Sequence, residues 1–327
     1  MIMKKKIAFI CFVVILTVVT YTVIMFNNNR MNGKTEYGYT KEIELIPQDQ
    51  VDSYQIEKYT QKASKAQAPD GILVWNDQIL ICDEAQHCIL IYDLDMNYMG
   101  KFGKLGNGDG EFSEPRGIAA YQNEIYVLDS GNSRIQFFNS QFQYQREIAL
   151  DLLPDYQAGS RYTDIVAGTD GTLYLSTDSM IEEANKIYIV SGEKIEKTKQ
   201  TIVGPLLNYD GKIYAADTYE YHSYGEQIEM ASGYNNLYQI KDGNAILVKQ
   251  LPNKLTPVSG MQYGNKICLL SASQGIGVEI SLEDEENRAL FQVDTIKLGM
   301  RMAVVNEKDF LITDRENNII YYYRREK

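Results

Sequence analysis

Six short β-rich pentapeptides, each ending on a small or acidic side chain, most constrain what this chain can fold into. They read Ile79-Leu-Ile-Cys-Asp83, Ile125-Tyr-Val-Leu-Asp129, Leu173-Tyr-Leu-Ser-Thr177, Ile213-Tyr-Ala-Ala-Asp217, Ile267-Cys-Leu-Leu-Ser271 and Phe310-Leu-Ile-Thr-Asp314. Their last residues stand 46, 48, 40, 54 and 43 positions apart. Turn signals precede them: Trp75-Asn-Asp77, Tyr121-Gln-Asn123, Thr169-Asp-Gly171, Tyr209-Asp-Gly211, Tyr263-Gly-Asn265 and Asn306-Glu-Lys308. Asn- and Asp-containing pairs of this kind are hairpin turns between a first and a second strand. A third β-rich run follows each pentapeptide, and a fourth is visible in the first five copies, as at 144–148 and 289–293. A four-stranded unit repeating at about 46 residues has the pitch of a propeller blade.

The sixth copy ends at Lys327 with no room for a fourth strand. Residues 37–46 alternate polar and apolar side chains and supply the missing piece. Joining the terminal strands in one sheet removes the exposed edge of an open array. The expected fold is therefore all-β, a six-bladed β-propeller over residues 37–327 closed by the N-terminal strand. Residues 48–65 are polar, and their helical or strand character is not decided by pattern. The abundance of Tyr (25) and scarcity of Pro (7) fit half-buried strands.

Residues 7–26 are a 20-residue run without charge, preceded by Lys4, Lys5 and Lys6. That length crosses a bilayer core of about 30 Å as a helix. The lysines favour a cytoplasmic N-terminus of six residues, a linker over 27–36 and a propeller outside the cell membrane. A cleaved signal peptide is the rival. Small residues are absent at the positions a cleavage site needs around Met25-Phe26-Asn27-Asn28, which favours an uncleaved signal anchor. Four of the 32 basic residues and none of the 44 acidic ones lie in residues 1–30, which leaves the rest of the chain at −16. Such a field repels a polyanion, so nucleic acid is excluded as a partner. Cys82 and Cys88 flank a turn. They either pair across a hairpin in an oxidising compartment or serve as small apolar strand residues. A zinc site lacks the further ligands it needs.

Between Gly108 and Ile135 the residues themselves resemble an NHL repeat. Gly108-Asp-Gly-Glu-Phe112, Pro115-Arg-Gly-Ile-Ala119, Ile125-Tyr-Val-Leu-Asp129 and Gly131-Asn-Ser-Arg-Ile135 follow one another in the order of that family's unit. The first copy keeps Ala68-Pro-Asp-Gly-Ile72, and the sixth keeps Ile312-Thr-Asp-Arg-Glu-Asn-Asn-Ile319. Copies three to five rest on spacing. The resemblance implies a propeller disc that binds ligands, proteins or RNA, or serves as a bacterial sensor ectodomain. It does not fix an activity.

Three sets of residues are candidates for function. Counting thirteen residues back from Asp83, Asp129, Thr177 and Asp314 gives Asp70, Arg116, Asp164 and Arg301, at the start of the innermost strands. These four should ring one channel mouth, as a ligand site or as a structural salt-bridge ring. The second set lies in an insertion of the fourth copy, where Tyr219, Tyr221, His222, Tyr224 and Tyr234 offer amphipathic rings to a partner or glycan. The insertion should emerge on the face of the Gly-rich loop 103–113. The third set, Asp83, Asp129, Asp217 and Asp314, is better read as turn-capping acids than as metal ligands. With only His87 and His222, the multi-histidine zinc site of the amidating-lyase relatives cannot be built, and the glycines of 106–110 lead into a strand, not a helix.

The expectation is a membrane-anchored extracytoplasmic binding module of bacterial type, not an enzyme. It would recognise a protein, a peptide or a cell-envelope glycan through one propeller face and carry no cofactor and no metal. A divalent-ion-dependent envelope hydrolase or lyase, with its site at the central channel, is the alternative.

Overall fold

The computed structural model describes residues 54–151, 161–179, 184–224, 227–232, 235–252, 255–271, 275–283, 287–293 and 300–325. The apolar segment 7–26, the linker 27–36 and the strand expected over 37–46 lie outside them. Among the described residues no helix is long and apolar enough to cross a membrane.

Six four-stranded antiparallel sheets form the blades. Their innermost strands are Pro69–Trp75, Pro115–Tyr121, Arg161–Ala167, Leu206–Tyr209, Pro257–Tyr263 and Met300–Val304. Each touches the innermost strand of the next blade, and the sixth touches the first, so the ring is closed. The pentapeptides are the second strands, from Gln78–Asp83 in blade 1 to Phe310–Asp314 in blade 6. Side chains alternate between the two faces of a strand, and here both faces are covered. In blade 1 Leu80 and Cys82 pack towards blade 2, while Ile79 and Ile81 pack towards blade 6. This accounts for the unbroken apolar runs, since a strand buried on both sides has no polar face. The described core divides into six apolar clusters, one at each junction between successive blades.

The fourth place in blade 6, for which the sequence offers 37–46, is held by Tyr54–Thr60. That strand runs antiparallel to Ile319–Arg325, with Tyr54 opposite Arg325 and Thr60 opposite Ile319. Its pattern is hard to read because an outer strand is mostly exposed and needs few apolar residues. Tyr54 supplies the anchor: its ring packs edge-on against Phe310 and Tyr323, and its hydroxyl lies 2.9 Å from that of Tyr263. Bulges at Met99, Gln145, Val248 and Leu290 interrupt the outer strands of blades 1, 2, 4 and 5, a device that blunts sheet edges against pairing with other chains.

Cys82 and Cys88 are free and buried. They belong to the clusters on opposite sides of blade 1, Cys82 towards blade 2 and Cys88 towards blade 6. Burial pushes both thiols up, Cys88 to about 11, and they act as small apolar strand residues.

Candidate functional site

Strand direction alternates within a blade, so the crossovers between blades and the hairpins between second and third strands share one face. That face carries the start of every innermost strand, the Gly-rich crossover 103–113 and the blade 4 insertion.

At the start of the innermost strands of blades 1, 2, 3 and 5 the pairing register slips, and a bulge follows Pro69, Pro115, Tyr162 and Pro257. A bulge re-aims the side chain it carries. In blade 1 it holds Asp70 and in blade 2 Arg116. In blade 3 it holds Thr163, and Asp164 comes one residue later, because the bulge is there combined with a three-residue turn, Thr169-Asp-Gly171. Blades 1 and 2 have two-residue turns, and blade 6 has a three-residue turn without a bulge. Gly171 sits at φ +83°, the left-handed region that closes a three-residue hairpin turn.

The structure brings the four channel residues into one charged cluster. Asp70, 1% exposed, accepts from Arg315 at 3.1 Å through Oδ2, while its Oδ1 lies 3.7 Å from Arg301 Nε. Arg315 also donates to Glu84 at 2.9 Å, and Glu84 accepts from Arg116 at 3.1 Å. Arg116 Nη2 lies 3.9 Å from Glu114, whose backbone N–H donates to His87 Nδ1 at 3.2 Å. Arg301 crosses the channel. It donates to the carbonyl of Val258 in blade 5 at 3.1 Å, to that of Met300 at 3.2 Å and to that of Thr163 in blade 3, directly opposite, at 3.2 Å. Asp164 accepts from the Leu206 N–H of blade 4 at 3.0 Å and from the Ile165 N–H at 2.9 Å. Burial pushes the Asp164 carboxyl up, Arg301 and the two N–H groups pull it back, and nearby Asp70 adds to the rise. Burial lowers the Arg315 guanidinium, but the carboxylates of Asp70 and Glu84 outweigh it and hold that group above its ordinary value. The cluster thus links all six blades.

Three buried polar atoms in it have no hydrogen-bond partner: Asp70 Oδ1, Arg301 Nε and Arg116 Nε. Three guanidiniums face the acids here, so the donor set does not fit a divalent cation, which would be repelled at each approach. Among the described residues no group of three or more His, Cys, Asp or Glu side chains is spaced to hold a metal ion. The capping acids do what turn acids do. Asp83 accepts from the backbone of Gln67, Ala68 and Gln86, and Asp129 accepts from the Ser113 backbone, Asn132 and Arg134.

Sequence reasoning missed Glu84 and Arg315, although a signal was present. The residue after a pentapeptide reaches the next blade in every blade where it is described: Glu84 to Arg116, Ser130 to the Tyr162 carbonyl at 2.6 Å, Thr218 to the Pro257 carbonyl and Arg315 to Asp70. Asp178, at the same position in blade 3, accepts from the Tyr219 hydroxyl of blade 4 at 2.8 Å.

The blade 4 insertion is a hairpin of its own, Tyr219–Tyr224 paired with Gln227–Ser232. Tyr221 and His222 stand opposite Met230 and Glu229, and Tyr224 opposite Gln227. Tyr219 is half-buried at its base, tied to Asp178, and Tyr234 lies outside the described residues. The Gly-rich crossover is gripped from below. Arg134 donates to the carbonyls of Asn107, Gly108 and Glu111 at 2.9, 3.0 and 2.8 Å, so the loop is a packed structural element.

A 6-bladed beta-propeller family profile matches residues 41–251. Among curated proteins the chain is similar to Protein brain tumor of Drosophila melanogaster, 43% identical over 51 residues, which is 15% of this chain and 5% of that protein. The match thus spans a small fraction of that relative's length. Among solved structures the chain is similar to virginiamycin B lyase from Staphylococcus aureus, at 12% identity and a TM-score of 0.55, covering 84% of this chain and 100% of that one. It is also similar to a gluconolactonase from Xanthomonas campestris, at 11% identity and a TM-score of 0.58, covering 84% and 90%. At these identities the likeness is one of fold.

Proposed function

The chain belongs to the 6-bladed beta-propeller family, and from that premise we propose that it is a binding module that recognises a protein, peptide or cell-envelope glycan through one face of the disc. The observation that carries this is the inserted hairpin of blade 4. It departs from the four-stranded plan on the face where the crossovers and the charged channel mouth lie. Its base is fixed by the Tyr219–Asp178 hydrogen bond, and a pre-ordered element loses less entropy on binding than a free loop. Tyr221, His222 and Tyr224 are the recognition residues. The NHL-like run between Gly108 and Ile135 agrees with a disc used for binding. In this reading residues 7–26 anchor the propeller to the cell membrane on its extracytoplasmic side, and the net charge of −16 beyond Arg30 keeps nucleic acid away.

Crosslinking of the full chain to envelope proteins and glycans in intact cells tests the proposal. Tyr221→Ala with Tyr224→Ala is expected to lower capture of the partner at least tenfold while the melting temperature stays that of the parent. Capture that survives both substitutions overturns it.

A further inference from the structure

The channel mouth holds an unmet demand for hydrogen bonds, and its chemistry is specific. Asp70 Oδ1 is a buried acceptor without a donor, and Arg301 Nε, 3.7 Å away, is a buried donor without an acceptor. Arg116 Nε is a third unmet group in the same cluster. A buried group left unpaired has given up its water without a replacement, a cost that is larger when the group is charged. The two groups do not satisfy each other, because the terminal nitrogens of Arg301 are drawn to the carbonyls of Val258, Met300 and Thr163.

The group that completes this pair must donate to a carboxylate and accept from a guanidinium N–H. A cation fails at the three arginines and an anion fails at Asp70 and Glu84. A hydroxyl oxygen does both, and one oxygen can stand about 2.8 Å from each of two atoms that are 3.7 Å apart. We propose that the channel mouth is a subsite for a neutral saccharide, with one sugar hydroxyl bridging Asp70 Oδ1 and Arg301 Nε. The proposal rests on the binding-module reading and names the ligand class of the same face. Neither atom has surface of its own, so entry requires Arg301, whose side chain is 18% exposed, to rotate off the Thr163 carbonyl. Glu84 and Arg315, 21% and 26% exposed, then stand beside the bound ring as acceptor and donor for a neighbouring hydroxyl.

The test uses the full chain in a detergent without a sugar headgroup, titrated calorimetrically with glucose, galactose and N-acetylglucosamine, and with acetate and glycine as charged controls. At least one neutral sugar is expected to bind, and Asp70→Asn, which keeps the shape but removes the carboxylate, should weaken it at least tenfold. Should that variant fail to fold, Arg301→Lys, which keeps the charge and loses the Nε donor, is the second arm, with the same tenfold loss expected. The proposal is overturned if the sugars do not bind up to tens of millimolar (a bridging water only), if both variants bind as the parent does, or if acetate or glycine binds more tightly. Hairpin variants separate the two readings. Loss of partner capture in Tyr221→Ala with monosaccharide affinity unchanged supports both, whereas capture that persists beside an Asp70-dependent sugar site overturns the hairpin alone.

Discussion

The hydroxyl of Tyr209, last residue of the innermost strand in blade 4, donates to the carbonyl of Asn265 in the first turn of blade 5 at 2.7 Å. The same reach recurs around the far face of the disc. Trp75 Nε1 donates to the Gln122 carbonyl of blade 2 at 3.2 Å, and the Tyr263 hydroxyl to the Lys308 carbonyl of blade 6 at 3.0 Å. The Tyr121 ring lies against Gly171 of blade 3, so close that a Cβ there would stand 3.0 Å from it. Blades 3 and 6 end their innermost strands on Ala167 and Val304 and lack the clasp. The charged cluster on one face and the aromatic clasps on the other tie neighbouring blades at both ends of the channel.

Tyr209→Phe keeps the ring and deletes one hydrogen bond. It is expected to lower stability by about 1 kcal/mol, leaving the Asn265 carbonyl to water. Urea denaturation measures it, and an unchanged midpoint would show that the clasp contributes nothing.

Arg134→Lys should be far more damaging than a like-charge exchange suggests. The guanidinium donates to Asp129 at 2.8 Å, to Glu147 at 2.6 Å and to three crossover carbonyls, a set that a single ammonium cannot span. Asp129 is fully buried, and breaking one partner from a buried pair costs about 3–5 kcal/mol. Hydrogen exchange should speed up at Gly106 and Phe112, whose N–H groups close the crossover. Parent-like protection there would count against the grip.

What could be read from the chain followed burial. The second strands were legible because apolar side chains are demanded on both faces, and the pentapeptides are continuous for that reason. The closing strand was not, since Tyr54–Thr60 lies at an outer edge where Glu57 and Lys58 are as acceptable as any apolar residue. Counting back thirteen positions reaches the channel residues wherever a bulge goes with a two-residue turn, as in blades 1 and 2, or a three-residue turn stands without a bulge, as in blade 6. It falls one short in blade 3, where both occur. The aromatic clasps were in plain sight, as Trp75, Tyr121, Tyr209 and Tyr263 each stand immediately before a turn signal. Pattern alone does not say that those rings reach sideways into the next blade.

Asp164 makes the channel cluster pH-dependent in a definite direction. Its folded carboxyl is raised above the ordinary value by burial. The stability it contributes is therefore present when it is protonated, below the ordinary carboxylate value of about 4, and is lost as pH rises through the raised value. Arg301 limits that loss by stabilising the ionised form. Arg301→Met should therefore show a larger deficit in melting temperature at about pH 7.5 than at about pH 4.5. A deficit that is equal at both, or larger in acid, would sever Asp164 from Arg301.

The buried thiols should be silent until the chain unfolds. Cys88, pushed up to about 11 by burial and, less strongly, by Asp83, is neutral at about pH 8, and Cys82 and Cys268 are raised as well. With Cys11 replaced by Ser, a maleimide is expected to label none of the three in buffer and all three in denaturant. Rapid labelling of Cys82 or Cys88 in the folded protein would contradict their placement.

Removing the outer strand of blade 6 separates a structural role from mere proximity. A chain beginning at residue 61 loses Tyr54–Thr60 and exposes the full edge of Ile319–Arg325, where Ile320, Tyr322 and Tyr323 are now buried. It also strips the Tyr54 ring from Phe310 and Tyr323 and the hydroxyl contact with Tyr263. An open edge with aromatic side chains pairs with whatever strand it meets. That chain is expected to elute as dimers and larger species and to melt below one beginning at residue 53, with the difference growing as protein concentration falls. If the two elute and melt alike, Tyr54–Thr60 rests on the blade without holding it.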